Sequence, residues 1–425
     1  MASPRRHYAW IVLAMSTLVV LGSLGLGRFG YTLLLPAMQA GLDLDNAQAG
    51  ALASANLAGY LALAVLGGAL ASRYGPRRVI ALGLAVSGLG MLLTGLADGF
   101  LALAALRLLT GLGSGASNVP VMGLVSAWFV GRRRGLAAGI AVTGSSLALI
   151  ILGPLVPRVL AANLLFGWRV CWGAYGGVTL ILAAAAYALL RDRPSDVGAS
   201  PVGEAVPLGD LAPPGQAAPP AQAAPARPEP LRWGPVYRAP AVWHLGVVYA
   251  AFGFSYIIYM TFFTKHLVTG AGYSAQAAGN LFMVMGWASL LCGVLWGHLS
   301  DRIGRKRALL LVYCVHAAAF ALFAFWSQPL GLTVSAILFG LSAWSIPAIM
   351  AAACGDILGA RMAPAALGFL TLFFGIGQAI GPAVAGAMAD AWGSFVPAFA
   401  LAAGVAALGA VGAALLRPTR EGNRV

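Results

Sequence analysis

Charge is what this chain has least of. Of its 425 residues only 9% are charged and 60% are hydrophobic; an ordinary soluble domain carries about 25% charged residues. Such a chain cannot cover its apolar surface with polar side chains in water. Acids are scarcer still, 12 against 26 Lys+Arg. They are Asp43, Asp45, Asp98, Asp192, Asp196, Glu204, Asp210, Glu229, Asp301, Asp356, Asp390 and Glu421, and none falls in the middle of a long apolar run. That placement excludes carboxylate-pair chemistry inside those runs and gives a proton no buried carboxylate to ride on. A proton would have to travel on a substrate, on a histidine, or at Asp301 or Asp356. The four cysteines, Cys171, Cys292, Cys314 and Cys354, stand singly without CxxC or metal spacing, so neither a disulfide framework nor a thiolate centre is expected. No phosphate loop, metal-ligand cluster or folded appendage is visible. The segment Gly25-x-Gly27-x-x-Gly30 has the letters of a dinucleotide fingerprint but follows no strand and begins no βαβ unit. An enzyme is therefore not expected, nor any cofactor or metal.

What the chain does have is apolar runs near or above the roughly 20 residues that span a bilayer. They cover 8–36, 47–71, 78–97, 99–124, 136–160, 170–190, 241–266, 276–298, 307–326, 331–354, 365–390 and 394–416. Lipid offers the backbone no hydrogen-bond partner, so each run must be a helix. The first is too long for a signal-peptide core and reads as retained. Residues 194–240, rich in Pro, Ala and Gly, cannot build a core and read as a loose linker. The expected organisation is a six-helix bundle over 1–193, a linker over 194–240 and a second six-helix bundle over 241–425. The net charge of +14 suggests nucleic acid at first sight, but its placement argues otherwise. With both termini cytoplasmic, only Arg28, Arg107, Arg158, Arg169 and Lys265 lie outside the inner loops and tails. That is the positive-inside bias of a membrane protein, and the expected partners are a lipid bilayer and a small-molecule substrate, not nucleic acid. One chain holds both bundles, so a monomer suffices. Arg far outnumbers Lys, which fits a GC-rich bacterial genome and an inner-membrane location.

Between the eighth and ninth runs lies Gly297-His-Leu-Ser-Asp301-Arg302-Ile-Gly304-Arg305-Lys306-Arg307, and between the second and third a degenerate copy, Gly68-Ala-Leu-Ala-Ser72-Arg73-Tyr-Gly75-Pro-Arg77-Arg78. Related loops at equivalent places in two halves indicate duplication. The pattern resembles the cytoplasmic loop signature of the major facilitator superfamily (MFS). The resemblance implies an all-α membrane protein of twelve transmembrane helices in two pseudo-symmetric six-helix bundles, with each half carrying nested repeats. It also implies a gating role for Asp301, Arg302, Arg305, Arg73 and Arg77, although Ser72 stands where an acid is usual. The fourth run, Leu103-Ala-Ala-Leu-Arg107-Leu-Leu-Thr110-Gly111-Leu-Gly113, resembles a second MFS signature. The fifth, with Gly139, Gly144 and Gly153-Pro154, is similar to the Gly-Pro signature of many MFS antiporters; the eleventh carries Gly381-Pro382. Gly144, Gly153, Pro154, Gly381 and Pro382 are hinge candidates, because Gly and Pro bend helices and let neighbours approach. The end of the first run, Gly27-Arg28-Phe29-Gly30-Tyr31-Thr32, resembles a bacterial branch of the superfamily, the YbfB/YjiJ type.

In the MFS fold, helices 1, 4, 7 and 10 line a central cavity. Arg28, Tyr31 and Thr32, spaced i, i+3, i+4, are expected on one face there. Arg107, Thr110, Gly111, Ser114 and Asn118 share another. A charge in hydrocarbon costs roughly 2.5–3.5 kcal/mol on insertion scales, so both arginines must face protein or water. Two fixed cations without an acid in the spans suit a bound anion; alternatively, backbone carbonyls or water neutralise each arginine. Tyr256 and Tyr259 on the seventh run are further substrate candidates, within an aromatic series that packing alone could explain. Lys265 and His266 sit at that helix's outer end. Asn56, Ser145, Ser146, Asn280, Trp344 and Gln378 are weaker lining candidates. The reading is a secondary transporter of a small organic anion, a carboxylate in preference; the alternative is proton-coupled efflux of hydrophobic or drug-like compounds.

Overall fold

The computed structural model describes residues 7–130, 132–162, 166–203 and 234–416. The centre of the expected linker and both tails lie outside the described residues. Among the described residues twelve long helices follow one another: α1 (Tyr8–Leu42), α2 (Asn46–Tyr74), α3 (Pro76–Thr94), α4 (Phe100–Trp128), α5 (Arg132–Ala162), α6 (Gly167–Leu189), α7 (Pro240–Thr269), α8 (Ala275–Ile303), α9 (Arg305–Phe325), α10 (Pro329–Ile357), α11 (Ala366–Trp392) and α12 (Val396–Ala414). Eleven are long and apolar enough to cross a bilayer as they stand, and α2, bent by 44°, makes the twelfth. The helices overrun the apolar runs by up to six residues. Polar caps set the true ends: Asp45 and Gln48 form a reciprocal capping box at the start of α2, and the Ser274 hydroxyl accepts from Ala277 N at the start of α8.

The two halves repeat one packing scheme. α1 packs on α5, α2 on α4, and α3 on α6; six helices later, α7 packs on α11, α8 on α10, and α9 on α12. The turns repeat as well. Gly75 between α2 and α3 has φ +88°, and Gly304 between α8 and α9 has φ +84°. Only glycine holds that backbone without strain, which explains why both copies of the loop sequence keep it. The outer surface carries large apolar side chains, with Leu101 81% and Val294 78% exposed, as a lipid-facing surface requires.

The halves meet along α2–α11, α5–α8 and α1–α7. These contacts cluster toward the end opposite the basic loops. There a Cβ on Gly50 would strike the Pro382 carbonyl, one on Gly386 the Asn46 carbonyl, and one on Gly153 the Gly279 carbonyl. Farther in, Ser289 donates to Ser146 at 2.7 Å, and Trp344 Nε1 reaches the same hydroxyl at 3.3 Å. Toward the basic end, Cβ atoms on Gly68, Gly139, Gly293 and Gly297 of the same helices would meet nothing within 4 Å.

The linker's first residues are more ordered than their composition predicts. Pro194–Val197 form a 3-10 turn whose Asp196 accepts from Arg193 N at 3.0 Å. Val202 then bridges the end of α4, donating to Trp128 O at 2.9 Å and accepting from Val130 N at 3.0 Å. Backbone pairing of this kind leaves no signature in a Pro/Ala-rich composition.

Candidate functional site

The site begins with an irregular stretch of α1. Leu21–Phe29 is a π-helix, wider than the α-helical turns on either side. Such widened turns are rare and concentrate at functional sites. Its glycines permit it to press against neighbours: a Cβ on Gly25 would collide with Ala148 of α5. Arg28 stands at its C-terminal edge.

Arg28 lies over the ring of Tyr60 on α2, 4.4 Å from guanidinium carbon to ring centroid. The Tyr60 hydroxyl accepts from Asn118 Nδ2 of α4 at 3.0 Å. On the other side, the hydroxyl of Tyr256 on α7 interacts with Arg28 and is also bonded by the Gln378 side chain of α11. One polar chain therefore runs Asn118–Tyr60–Arg28–Tyr256–Gln378 through five helices and across both halves. It is incomplete. Arg28 Nε and Nη2, Asn118 Oδ1 and Gln378 Oε1 are all buried without a partner. Buried polar atoms are nearly always paired in folded proteins, so four orphans on one chain mark a place where a ligand or water belongs. Beside it, near-parallel rings line the second half: Tyr249 on Phe374 at 4.6 Å and Phe252 on Tyr256 at 4.6 Å.

Arg107 occupies a different setting. It is 1% exposed. Its Nη1 donates to the Gly27 carbonyl at 2.7 Å, and the guanidinium lies between the rings of Tyr31 (4.6 Å) and Trp172 (5.1 Å). It pins the widened turn of α1 to α4 through a carbonyl and two aromatic faces. Its neighbours on α4 do similar work: Ser114 donates to Ser23 O at 2.9 Å, and Gly111 lies against the Asn56 carbonyl. Only Asn118 on that face reaches the polar chain. Tyr31 donates to Ala49 O at 2.8 Å, and Thr32 crosses between halves to Met260 O at 2.7 Å. Tyr259 bonds Ser335 at 2.8 Å among Phe320, Phe323 and Phe339. The structure thus gathers Arg28, Asn118 and Tyr256, and places Arg107, Tyr31, Thr32 and Tyr259 in packing and hydrogen-bonding positions around them. Tyr60 was not singled out by sequence, although a lone tyrosine amid the Ala, Leu and Gly of its run was a usable signal.

At the basic end, Arg305 bonds Asp301 at 2.6 Å, Ser300 at 2.7 Å and Asp356 at 3.3 Å. Arg302 is exposed, and Arg73 lies over its neighbour Tyr74. In the first half, Asp192, beyond α6, accepts from Arg77 N at 2.7 Å, while Arg77 Nε donates to Tyr187 O at 2.6 Å. Asp192 supplies the acid that Ser72 cannot, from elsewhere in the chain, which the local motif gives no means of seeing. Among the described residues, every ion pair at this end stays within one half.

The opposite end is fastened across the halves by a residue the sequence did not single out. Asp390 of α11 accepts from Asn46 N (3.1 Å), Asn46 Nδ2 (2.8 Å) and Ala47 N (2.7 Å) at the start of α2. A carboxylate there meets the orphan donors and positive dipole of a helix N-terminus. Lys265 and His266 line a cavity of about 360 Å³ beside it. Of the hinge candidates, Gly153 and Pro382 lie in this cross-half contact. A Cβ on Gly144 would meet Thr17 O of α1, and one on Gly381 would meet Phe254 O of α7. Among the described residues no group of three His, Cys, Asp or Glu could hold a metal ion.

Known proteins agree with this architecture. The model of the Major Facilitator Superfamily matches residues 17–287, and that described as "Uncharacterised MFS-type transporter YbfB" matches 211–414. A hexuronate transporter of Bacillus subtilis is 26% identical over 90% of this chain and 88% of its own length. A probable sulfoacetate transporter of Cupriavidus necator is 26% identical over 92% and 90%. The crystal structure of a D-xylose–proton symporter superposes with a TM-score of 0.75 at 15% identity, covering 98% of this chain and all of that one. The chain is a multi-pass, non-enzymatic transporter belonging to the major facilitator superfamily, and its second half is similar to the YbfB-type model.

Proposed function

We propose that this transporter carries a small organic anion, foremost a carboxylate, across the bacterial inner membrane by alternating access, with Arg28 as the cation that receives it. The observation that carries this reading is the unpartnered Nε–Nη2 edge of Arg28. Those two N–H bonds run parallel on one side of the guanidinium, the geometry that takes both oxygens of a carboxylate. No acid of the chain lies in the middle of a span to compete for it. The hexuronate and sulfoacetate named for two relatives are themselves organic anions, which supports the class.

The positive-inside rule puts the basic loops and both termini in the cytoplasm. The fastened end is then periplasmic, and the halves stand apart on the cytoplasmic side. Asp390 acts as the outer latch in this state. Asp301, Arg302, Arg305, Arg73, Arg77 and Asp192 are the groups available for closing the inner side. Gly153 and Pro382 serve as close-approach points for the rocking halves, and Gly144 and Gly381 seat α5 on α1 and α11 on α7 within each half.

The test is a thermal-shift screen of detergent-purified protein against carboxylates, sulfonates, amines and neutral compounds. A ligand that binds the folded state raises its melting temperature. Carboxylates should stabilise the wild type and not Arg28→Ala. Stabilisation by apolar or cationic compounds alone would contradict the proposal and favour efflux.

A further inference from the structure

From the other two orphans of the polar chain, and resting on the anion reading above, we infer that the substrate is a hydroxylated carboxylate whose hydroxyl donates to an amide oxygen of Gln378 or Asn118. Arg28 offers only donors, and its free edge satisfies an acid's oxygens. Asn118 Oδ1 and Gln378 Oε1 are acceptors, buried and unpaired, and a carboxylate cannot satisfy them because it too only accepts. Their amide NH2 groups are already engaged, Asn118 with Tyr60 and Gln378 with Tyr256, so the oxygens are the ends left for a ligand. Gln378 is fully buried and has no access to bulk water. The ligand must therefore bring at least one hydrogen-bond donor as well as its anionic group.

A hydroxyl fits that demand better than an ammonium. The site already holds the Arg28 charge, and the acids stand outside the middle of the spans; a second cation would be repelled in a low-dielectric setting. A neutral donor meets the amide oxygen without that cost. The arrangement also links recognition to motion. Arg28 belongs to the first half and Gln378 to the second, so a molecule holding both ties the halves together through its own skeleton. A plain carboxylate engages Arg28 alone.

The experiment compares matched acids by equilibrium binding to the purified full chain: lactate with propionate, mandelate with phenylacetate, gluconate with hexanoate, and lactate with alanine. The hydroxy acid of at least one pair should bind about tenfold or more tightly than its deoxy partner, because a site built to bond a hydroxyl rejects the analogue lacking it. Alanine should bind more weakly than lactate. Gln378→Leu or Asn118→Leu should lower the ratio of hydroxy-acid to deoxy-acid affinity, with the ligand-free melting temperature showing that each variant is folded. Equal binding within every pair overturns this inference and leaves the anion site standing. A preference that survives in both variants overturns the assignment to these amides, and alanine binding as well as lactate overturns the choice of a hydroxyl. Failure of every carboxylate to bind overturns the anion reading itself.

Discussion

Arg28 and Arg107 are the same side chain solving opposite problems. Arg107 gives Nη1 to one carbonyl and lies between two ring faces, with its Nε buried and unpartnered, and it holds α4 to the widened turn of α1. Arg28 rests on Tyr60 with one edge of its guanidinium unspent. Substitution should separate the roles. Arg28→Lys keeps the charge and loses the fork, so carboxylate affinity should fall by about tenfold or more with little change in the ligand-free melting temperature. Arg107→Met leaves the buried Gly27 carbonyl without its donor and should destabilise the fold by about 1–3 kcal/mol, read as a lower melting temperature. The sequence made both arginines visible, because a cation in an apolar run stands out. It could not separate them, because their partners come from other helices: Tyr60 of α2 for one, Trp172 of α6 for the other.

At the scale of the helix, what matters is where backbones touch. Gly50 against Pro382, Gly386 against Asn46 and Gly153 against Gly279 let α2–α11 and α5–α8 close without side chains between them. Gly50→Val and Gly279→Leu should therefore hold the fastened end, opposite the basic loops, open. Cysteine pairs across α2–α11 near that end should crosslink less in these variants, and transport should cease while the protein still inserts. The spans themselves were legible from apolar length alone, since lipid forces helix on such a run. The π-helical stretch Leu21–Phe29 was not, because glycine-rich sequence is compatible with several backbone paths. Of the residues at its end and just beyond it, Arg28 and Tyr31 reach Tyr60 and Ala49 of α2, and Thr32 reaches Met260 of α7.

For the molecule as a whole, duplication accounts for most of the design. Two halves show matching pairings and matching Gly75 and Gly304 turns. The repeat was readable from the paired loop sequences. The latch was not, because Asp390 and Asn46 are 344 residues apart and neither sits in a motif. Asp390→Ala removes three hydrogen bonds to the start of α2 and should weaken the closed end opposite the basic loops by about 1–2 kcal/mol. That shift should raise labelling of a cysteine placed at position 47, which keeps the backbone donor to Asp390, by a membrane-impermeant reagent.

Carboxylate transport through Arg28 is open to direct test. Its most direct measurement is counterflow in proteoliposomes, with a radiolabelled carboxylate that passes the stability screen outside and the same unlabelled acid inside. Transient accumulation is expected with the wild type and none with Arg28→Ala that inserts at equal density. Accumulation undiminished in Arg28→Ala would contradict that role for Arg28.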